Sequence, residues 1–267
     1  MNRRTFIRGA LVSTAVVATG VPLYSYGFER HYLDKTTLSH ALGLNQPWRI
    51  AVLGDIHFDP LFEEAYIEHV VNEITELKPD IILYTGDFVS HEVNRIGDLA
   101  KLLSKAVSRL GSFAVLGNHD HWYGPQAVRD ALENNGIRVL CNDSWSLPDE
   151  DCLFLTGIDS YWAGKPDFTV FSRTPKNSRH IVLFHEPDPF TLLTDLRIKL
   201  QISGHTHGGQ VRVPFFGALR LPMWGRHYDA GLFTLNGRSL YVNRGIGTLA
   251  PHVRFDCRPE LTLFKLT

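Results

Sequence analysis

The sequence predicts an α/β protein: two mixed β-sheets packed face to face with helices outside, a four-layer αββα sandwich. Three observations carry this. Residues 48–134 alternate strand-length apolar runs with segments of helical period, and from Cys152 onward the pattern turns β-rich. Near the end, GLFTLNGRSLYV sets Asn236 and Gly237 between two apolar runs, the preferred pair for a type I′ hairpin turn.

Taken in order, residues 49–54 read as a strand. Residues 62–78 carry Ala65, Ile67, Val70, Val71, Ile74 and Leu77 near a helical period that Pro79 ends. Residues 81–86 form the next strand, 96–110 a helix and 113–117 a strand. Residues 125–134 form a helix opened by Pro125 and followed by Gly136. Such alternation implies parallel strands joined by right-handed crossovers. Further on, 152–157 and 180–184 read as strands, 188–196 as a short helix, 200–203 as a strand, and ELTLFKL as a last strand.

Composition sets bounds. At 267 residues and 44% hydrophobic content, the chain can bury the core of one large α/β domain. A formal net charge of −1 gives no broad electrostatic grip on nucleic acid, so no nucleic-acid partner is expected. Cys141, Cys152 and Cys257 have no zinc-type spacing and leave at least one thiol unpaired.

Residues 1–28 form a separate segment. Arg3, Arg4 and Arg8 precede a run uncharged from Gly9 through Phe28, and the arginine pair resembles a twin-arginine export signal. An ordinary signal or an uncleaved anchor is the alternative, since about 20 uncharged residues span a bilayer. The expectation is export by the twin-arginine route to the cell envelope, periplasmic or membrane-anchored. An anchor that left the domain on the cytoplasmic face of the inner membrane is the other placement. Residues 29–47 have mixed charge and no period, and read as a linker to a domain at 48–267.

Five apolar runs end in polar, metal-competent tips: IAVLGDIH, IILYTGD, FAVLGNHD, IVLFHEP and LQISGHTHGGQ. The tips supply Asp55, His57, Asp87, Asn118, His185, His205 and His207. As neighbouring strands of a sheet, their carboxyl ends would converge on one edge, where open α/β folds bind ligands. In extended chain, residues two apart face one way, so Asp55 with His57 and His205 with His207 would each clasp an ion. Mixed carboxylate, imidazole and amide donors suit Mn, Fe or Zn better than Mg or Ca, and the lack of cysteine ligands argues against a closed structural zinc.

The ordered set D-x-H, G-D, G-N-H-D, lone H and G-H-T-H resembles the calcineurin-like metallophosphoesterases, from Trp48 onward. GHTHGGQ, DSYWAG, YVNRGIGT and the late R-P-E resemble the YkuE/YaeI-type branch, which includes proteins similar to UDP-diacylglucosamine hydrolases of lipid A synthesis. The resemblance implies one metal held by Asp55, His57, Asp87 and His207. It implies a second held by Asp87, Asn118, His185 and His205, with Asp87 bridging. It also implies a catalytic His119 oriented by Asp120, and hydrolysis of a phosphodiester or pyrophosphate bond by a hydroxide held between the ions. The alternatives are a hydrolase of a glycolipid pyrophosphate and a noncatalytic envelope-binding protein that keeps metals for folding.

Residues 211–226 are apolar, interrupted by Pro214, Gly217 and Pro222, with Arg212, Arg220 and Arg226 the only charges. Two readings stand: a lip facing lipid, or a loop packed over the core. Burial of Phe215, Phe216, Leu219 and Trp224 would favour the second.

Overall fold

The computed structural model describes residues 20–58, 64–148, 150 and 152–267. The arginine pair of the export motif and the uncharged run up to residue 19 lie outside the described residues.

Two six-stranded mixed sheets form the centre. The first contains β1 (Asp34–His40), β2 (Trp48–Leu53), β3 (Ile81–Tyr84), β4 (Ser112–Ala114), β5 (Ile137–Val139) and β14 (Glu260–Leu266), in the order β1-β14-β2-β3-β4-β5. Strands β2 to β5 run parallel, while β14 is antiparallel to β2 and parallel to β1. The second contains β6 (Asp143–Ser146), β7 (Leu153–Gly157), β8 (Arg179–Leu183), β9 (Ile198–Ser203), β12 (Gly231–Leu235) and β13 (Arg238–Val242), in the order β12-β13-β9-β8-β7-β6. A small hairpin of β10 (Arg212–Val213) and β11 (Gly217–Ala218) stands apart.

The inner strands β2 and β3 are almost wholly apolar because both their faces are covered. Along β2 and β3, Ile50, Val52, Ile81 and Leu83 point between the sheets, where they meet Leu155, Ile181, Leu183 and Ile202. Ala51, Leu53, Ile82 and Tyr84 point outward beneath the helices Glu64–Glu76, Ile96–Leu103 and Pro125–Asn134. The outer face of the second sheet is thinner. It is covered by 3-10 turns at Phe168–Arg173 and Asp188–Thr191, so the segment read as a short helix at 188–196 is a single turn of 3-10 geometry.

Two segments depart from expectation. The helix from Ile96 stops at Leu103, short of residue 110. Residues 34–40, read as linker, are a strand paired residue for residue with β14. Its composition, DKTTLSH, hides it: this edge strand is half-buried on alternate residues, and its apolar partner lies more than two hundred residues away. Residues 20–27 are helical, and the carbonyl of the buried Ser25 accepts from the backbone N–H of Arg254 at 3.2 Å, so this end of the segment read as a leader is docked on the domain. No helix among the described residues is long and apolar enough to cross a membrane.

Candidate metal centre

The turns after β2, β3, β4, β8 and β9 bring all seven predicted ligands to one edge of the sandwich. Asp55, His57, Asp87, Asn118, His185, His205 and His207 are buried there. Donor atoms of six of them, together with that of His119, fall into overlapping groups: Asp55, His57 and His207; His57, Asp87 and His119; Asp87, His185 and His205. Within each group the atoms lie within 4.8 Å of one another.

The backbone converges differently from the extended geometry expected. Asp55, His57, Asp87, His205 and His207 all have positive φ, between 46° and 73°. Non-glycine residues adopt this left-handed region at a cost, and its concentration in five of the predicted ligands marks a site where function overrides local preference. Adjacent glycines leave room for the carboxylates. A Cβ on Gly117 would lie 2.1 Å from Asp87 Oδ1, and one on Gly204 2.3 Å from Asp55 Oδ2.

Hydrogen bonds assign the imidazole faces. His185 Nδ1 lies 2.7 Å from the carbonyl of Thr85, and His205 Nε2 lies 2.8 Å from that of Met223. A carbonyl only accepts, so each of these nitrogens carries a proton, and the opposite nitrogens are the ones left to face a metal ion. Those two, His185 Nε2 and His205 Nδ1, face each other at 3.2 Å, with Asp87 Oδ2 3.2 Å from His185 Nε2. Such a meeting calls for a positive charge between the partners. On the other side His57 Nε2 and His207 Nε2 are 2.9 Å apart with no protein partner on either Nδ1, and Asn118 Oδ1 is a buried acceptor without a protein donor. These donors fit divalent metal ions.

The protein's own charges agree. Burial pushes Asp55 up to about 7 and His57 down to about 3, and also holds His207 well below the ordinary imidazole range. Burial opposes ionisation of Asp87 and His185 as well, yet their proximity wins, holding Asp87 well below and His185 well above their usual ranges. The field that retains a proton on His185 would attract a cation in its place, with release of that proton.

His119 is beside this cluster, its backbone N–H donating to Asp87 Oδ1 at 2.8 Å. The expected orientation by Asp120 is not what the geometry shows. His119 Nδ1 is held by the Ser90 carbonyl at 2.7 Å. Asp120 instead accepts backbone N–H bonds from Phe88 (2.8 Å), Val89 (3.2 Å) and Gly117 (2.9 Å), tying the Asp87 and Asn118 turns together. It is a brace, because its short side chain in the first turn of helix Asn118–Tyr123 is turned back onto the backbone.

Other histidines stand outside the cluster: His91 meets Tyr123 Oη at 3.2 Å, and His227 meets Asp188 at 3.0 Å. His121 pairs with Asp159 at 2.7 Å. Asp159 also accepts from the backbones of Ser160 and Lys165, and the buried Glu186 accepts from those of Tyr161 and Trp162. Together these acids set Trp162 against the His205 ring, at 5.7 Å, and against Trp122, at 4.9 Å. Trp122 in turn lies 5.0 Å from the His119 ring, so an aromatic wall flanks the centre. A cavity of about 570 Å³ opens beside it, lined by Trp162, His205, His207, Arg220, Met223 and Leu249 among others.

Sequence reasoning missed Arg254. Its guanidinium is fully buried and donates to the carbonyls of Arg244, Gly245, Gly247 and Cys257. That folds the turn after β13 so that Gly247 N–H donates to the Asp55 carbonyl at 2.8 Å and Ile246 N–H to that of Gly54 at 3.0 Å. The available signal was the run RFDCRPE, of which only the closing R-P-E was singled out, as a resemblance to the YkuE/YaeI-type branch, with Arg254 passed over.

Residues 49–209 match the Metallophos family, described as calcineurin-like phosphoesterase. The chain is 33% identical to the uncharacterized metallophosphoesterase YkuE of Bacillus subtilis (strain 168), covering 100% of this chain and 98% of that protein. It is 31% identical to phosphodiesterase YaeI of Escherichia coli (strain K12), over 100% and 99% of the two chains. A third relative, a metallophosphoesterase of Aquifex aeolicus (strain VF5), is 28% identical over 82% of this chain and 84% of its own. With its two mixed sheets and its clustered carboxylate and imidazole donors, the chain belongs to the calcineurin-like phosphoesterases, of the YkuE/YaeI branch, and is a metal-dependent hydrolase.

Proposed function

We propose that the protein is a binuclear phosphoesterase hydrolysing phosphodiester or pyrophosphate bonds at the cell envelope. In this reading Asp55, His57, Asp87 and His207 hold one divalent ion, Asp87, Asn118, His185 and His205 hold the other, and Mn, Fe or Zn fills both. The observation that carries it is the position of Asp87, whose carboxylate belongs both to the group with His57 and to the group with His185 and His205. Two ions there would supply charge to the phosphoryl oxygens and a water acidified from a pKa of about 15.7 toward 7.

The chain's own residues do the rest. With Nδ1 committed to Ser90, His119 keeps Nε2 for the substrate and delivers the proton that the leaving oxygen needs. The Ser90 carbonyl fixes the ring, and the Trp122 ring lies 5.0 Å from it. Arg220 and Arg226 at the cavity rim favour an anionic substrate, and Leu219, Met223 and Leu249 give it an apolar wall. That wall favours a second reading, hydrolysis of a glycolipid pyrophosphate of the UDP-diacylglucosamine type. Export by the twin-arginine route rests on Arg3 and Arg4 and favours the general envelope phosphodiesterase.

The test is hydrolysis of bis-p-nitrophenyl phosphate and UDP-diacylglucosamine by the manganese-loaded full chain and its His119→Ala variant. The variant should keep its metal and lose roughly 10²–10⁴ in kcat. Metal retention with unchanged turnover would remove His119 from the reaction, and no turnover of either substrate by the wild type would favour the noncatalytic reading.

A further inference from the structure

The loop at residues 211–226 is not packed over the core. Phe215 is 106% exposed, Phe216 87% and Leu219 66%, while Trp224 alone is half-buried. The hairpin of β10 and β11 carries Pro214, Phe215 and Phe216 at its tip, closed by a bond from Phe216 N–H to the Val213 carbonyl at 3.0 Å. Phe215 sits there with φ of 70°, a left-handed conformation that favours glycine or asparagine. A bulky aromatic side chain held in that conformation and left in water gains nothing for the fold. Its gain must come from something outside the described chain.

A second exposed apolar element lies beside it. The helical residues 20–27 and the turn after them expose Leu23, Tyr24, Tyr26 and Phe28. Both elements rest on one segment, residues 254–257. On one side the Phe255 carbonyl accepts from Arg212 N–H at 2.8 Å. On the other, Arg254 N–H donates to the Ser25 carbonyl and Cys257 N–H to Glu29 Oε1 at 2.8 Å. Tyr24 and Pro214 line the same surface depression.

The charges around this face are mainly positive. Arg220 and Arg226 are exposed and make no ion pair among the described residues, and Arg30 and Arg258 lie over the rings of Tyr26 and Tyr32. Of the nearby acids, Glu29 is buried and accepts from the Cys257 N–H, Asp34 is tied to Arg244 and Asp229 to Arg212, leaving Asp256. The stretch from Gly9 to Phe28 that leads into this face carries no charge.

We infer that the hairpin tip and residues 20–28, the helical stretch with its turn, form one docking face for an anionic lipid bilayer, with Phe215 and Phe216 entering the interface. Aromatic side chains flanked by arginine are the composition that partitions into anionic headgroup regions. A second copy of the chain would explain the apolar tip but not the unpaired arginines. Leu219 and Met223 connect this face to the cavity beside the metal centre, so docking would hold the cavity mouth at the lipid surface. The contact does not depend on catalysis.

The test uses the full chain and vesicles of phosphatidylglycerol mixed with phosphatidylcholine. The double variant Phe215→Ser/Phe216→Ser should bind them roughly tenfold or more weakly while hydrolysing bis-p-nitrophenyl phosphate at the wild-type rate. In a separate Phe216→Trp variant, brominated lipid should quench tryptophan emission beyond the wild-type loss. Absence of added quenching would overturn the inference even if the chain floats with vesicles through its first residues. So would a wild-type dimer that the double serine variant turns into a monomer without any lipid effect. Since binding and quenching need no turnover, an inactive His119→Ala chain that still docks would separate failure of the phosphoesterase reading from failure of this one.

Discussion

Replacing Gly117 by alanine tests whether close backbone approach, rather than donor chemistry alone, builds the metal centre. Gly117 has φ of −97°, open to any residue, so alanine brings no backbone strain. Its Cβ would instead lie 2.1 Å from Asp87 Oδ1 and 2.7 Å from both Cγ and the backbone nitrogen of Asp87. Ordinary contact begins at 3.4 Å, so the central carboxylate must move by more than 1 Å. Displacement on that scale costs on the order of 10²-fold in rate, about 2.7 kcal/mol of transition-state stabilisation. Asp87 also receives the His119 N–H, so metal content and proton delivery should suffer together. The assay is kcat/KM on bis-p-nitrophenyl phosphate beside the metal-to-protein ratio. A variant with wild-type metal content and activity within about threefold of wild type would refute the idea that Asp87 needs this position.

Arg254→Met removes the donors that serve four backbone carbonyls and should destabilise the protein by about 3–5 kcal/mol in urea unfolding, with weakened metal retention through the Asp55 turn. Asp120→Asn turns an amide donor toward one of three backbone N–H groups. A loss of about 1–3 kcal/mol is expected, with the pH–rate profile unmoved, whereas a shifted profile would restore a catalytic role to Asp120. His121→Gln tests the clamp on the Trp162 loop. Burial lowers the His121 pKa but Asp159 more than restores it, leaving it raised; Asp159, against its own burial, is lowered chiefly by His121. A raised histidine contributes fully below its unfolded value and fades as pH rises through its folded value, while a lowered carboxylate contributes above its unfolded value. The variant should therefore fall furthest behind wild type between about pH 4.5 and 6.5, and the gap in unfolding free energy should narrow toward pH 9.

Much of the candidate centre was legible because its predicted ligands sit at the ends of short apolar strands, whose ends the apolar pattern marks well. Asp55, Asp87, Asn118, His185, His205 and the rest were found that way. What could not be seen is how the chain turns there: positive φ at Asp55 and His207 follows from contacts across the sandwich, not from the local letters. The same limit explains Asp120, read as a partner of the next-door His119 but held by Phe88 and Val89 from another turn. Strand β1 was missed because Thr36, Thr37 and Ser39 carry no apolar signal, and Arg254 because its carbonyl partners lie on other turns. The hairpin at 212–218 was seen as unusual, but only its exposure rules out the reading of a loop packed over the core.

The pairing of β1 with β14 bears on how the molecule is assembled in time. Thr36 bonds the Glu260 side chain across 224 residues, and β14 lies between β1 and β2. The βαβ units from β2 to β5 can form from local chain, yet the flank of β2 must wait for β14. Until then an apolar strand, WRIAVL, offers an open ladder of N–H and C=O groups, the surface on which one chain recruits another. Closure of that edge should therefore be the slow phase of refolding, and the interval before it the one in which the protein is lost to aggregation.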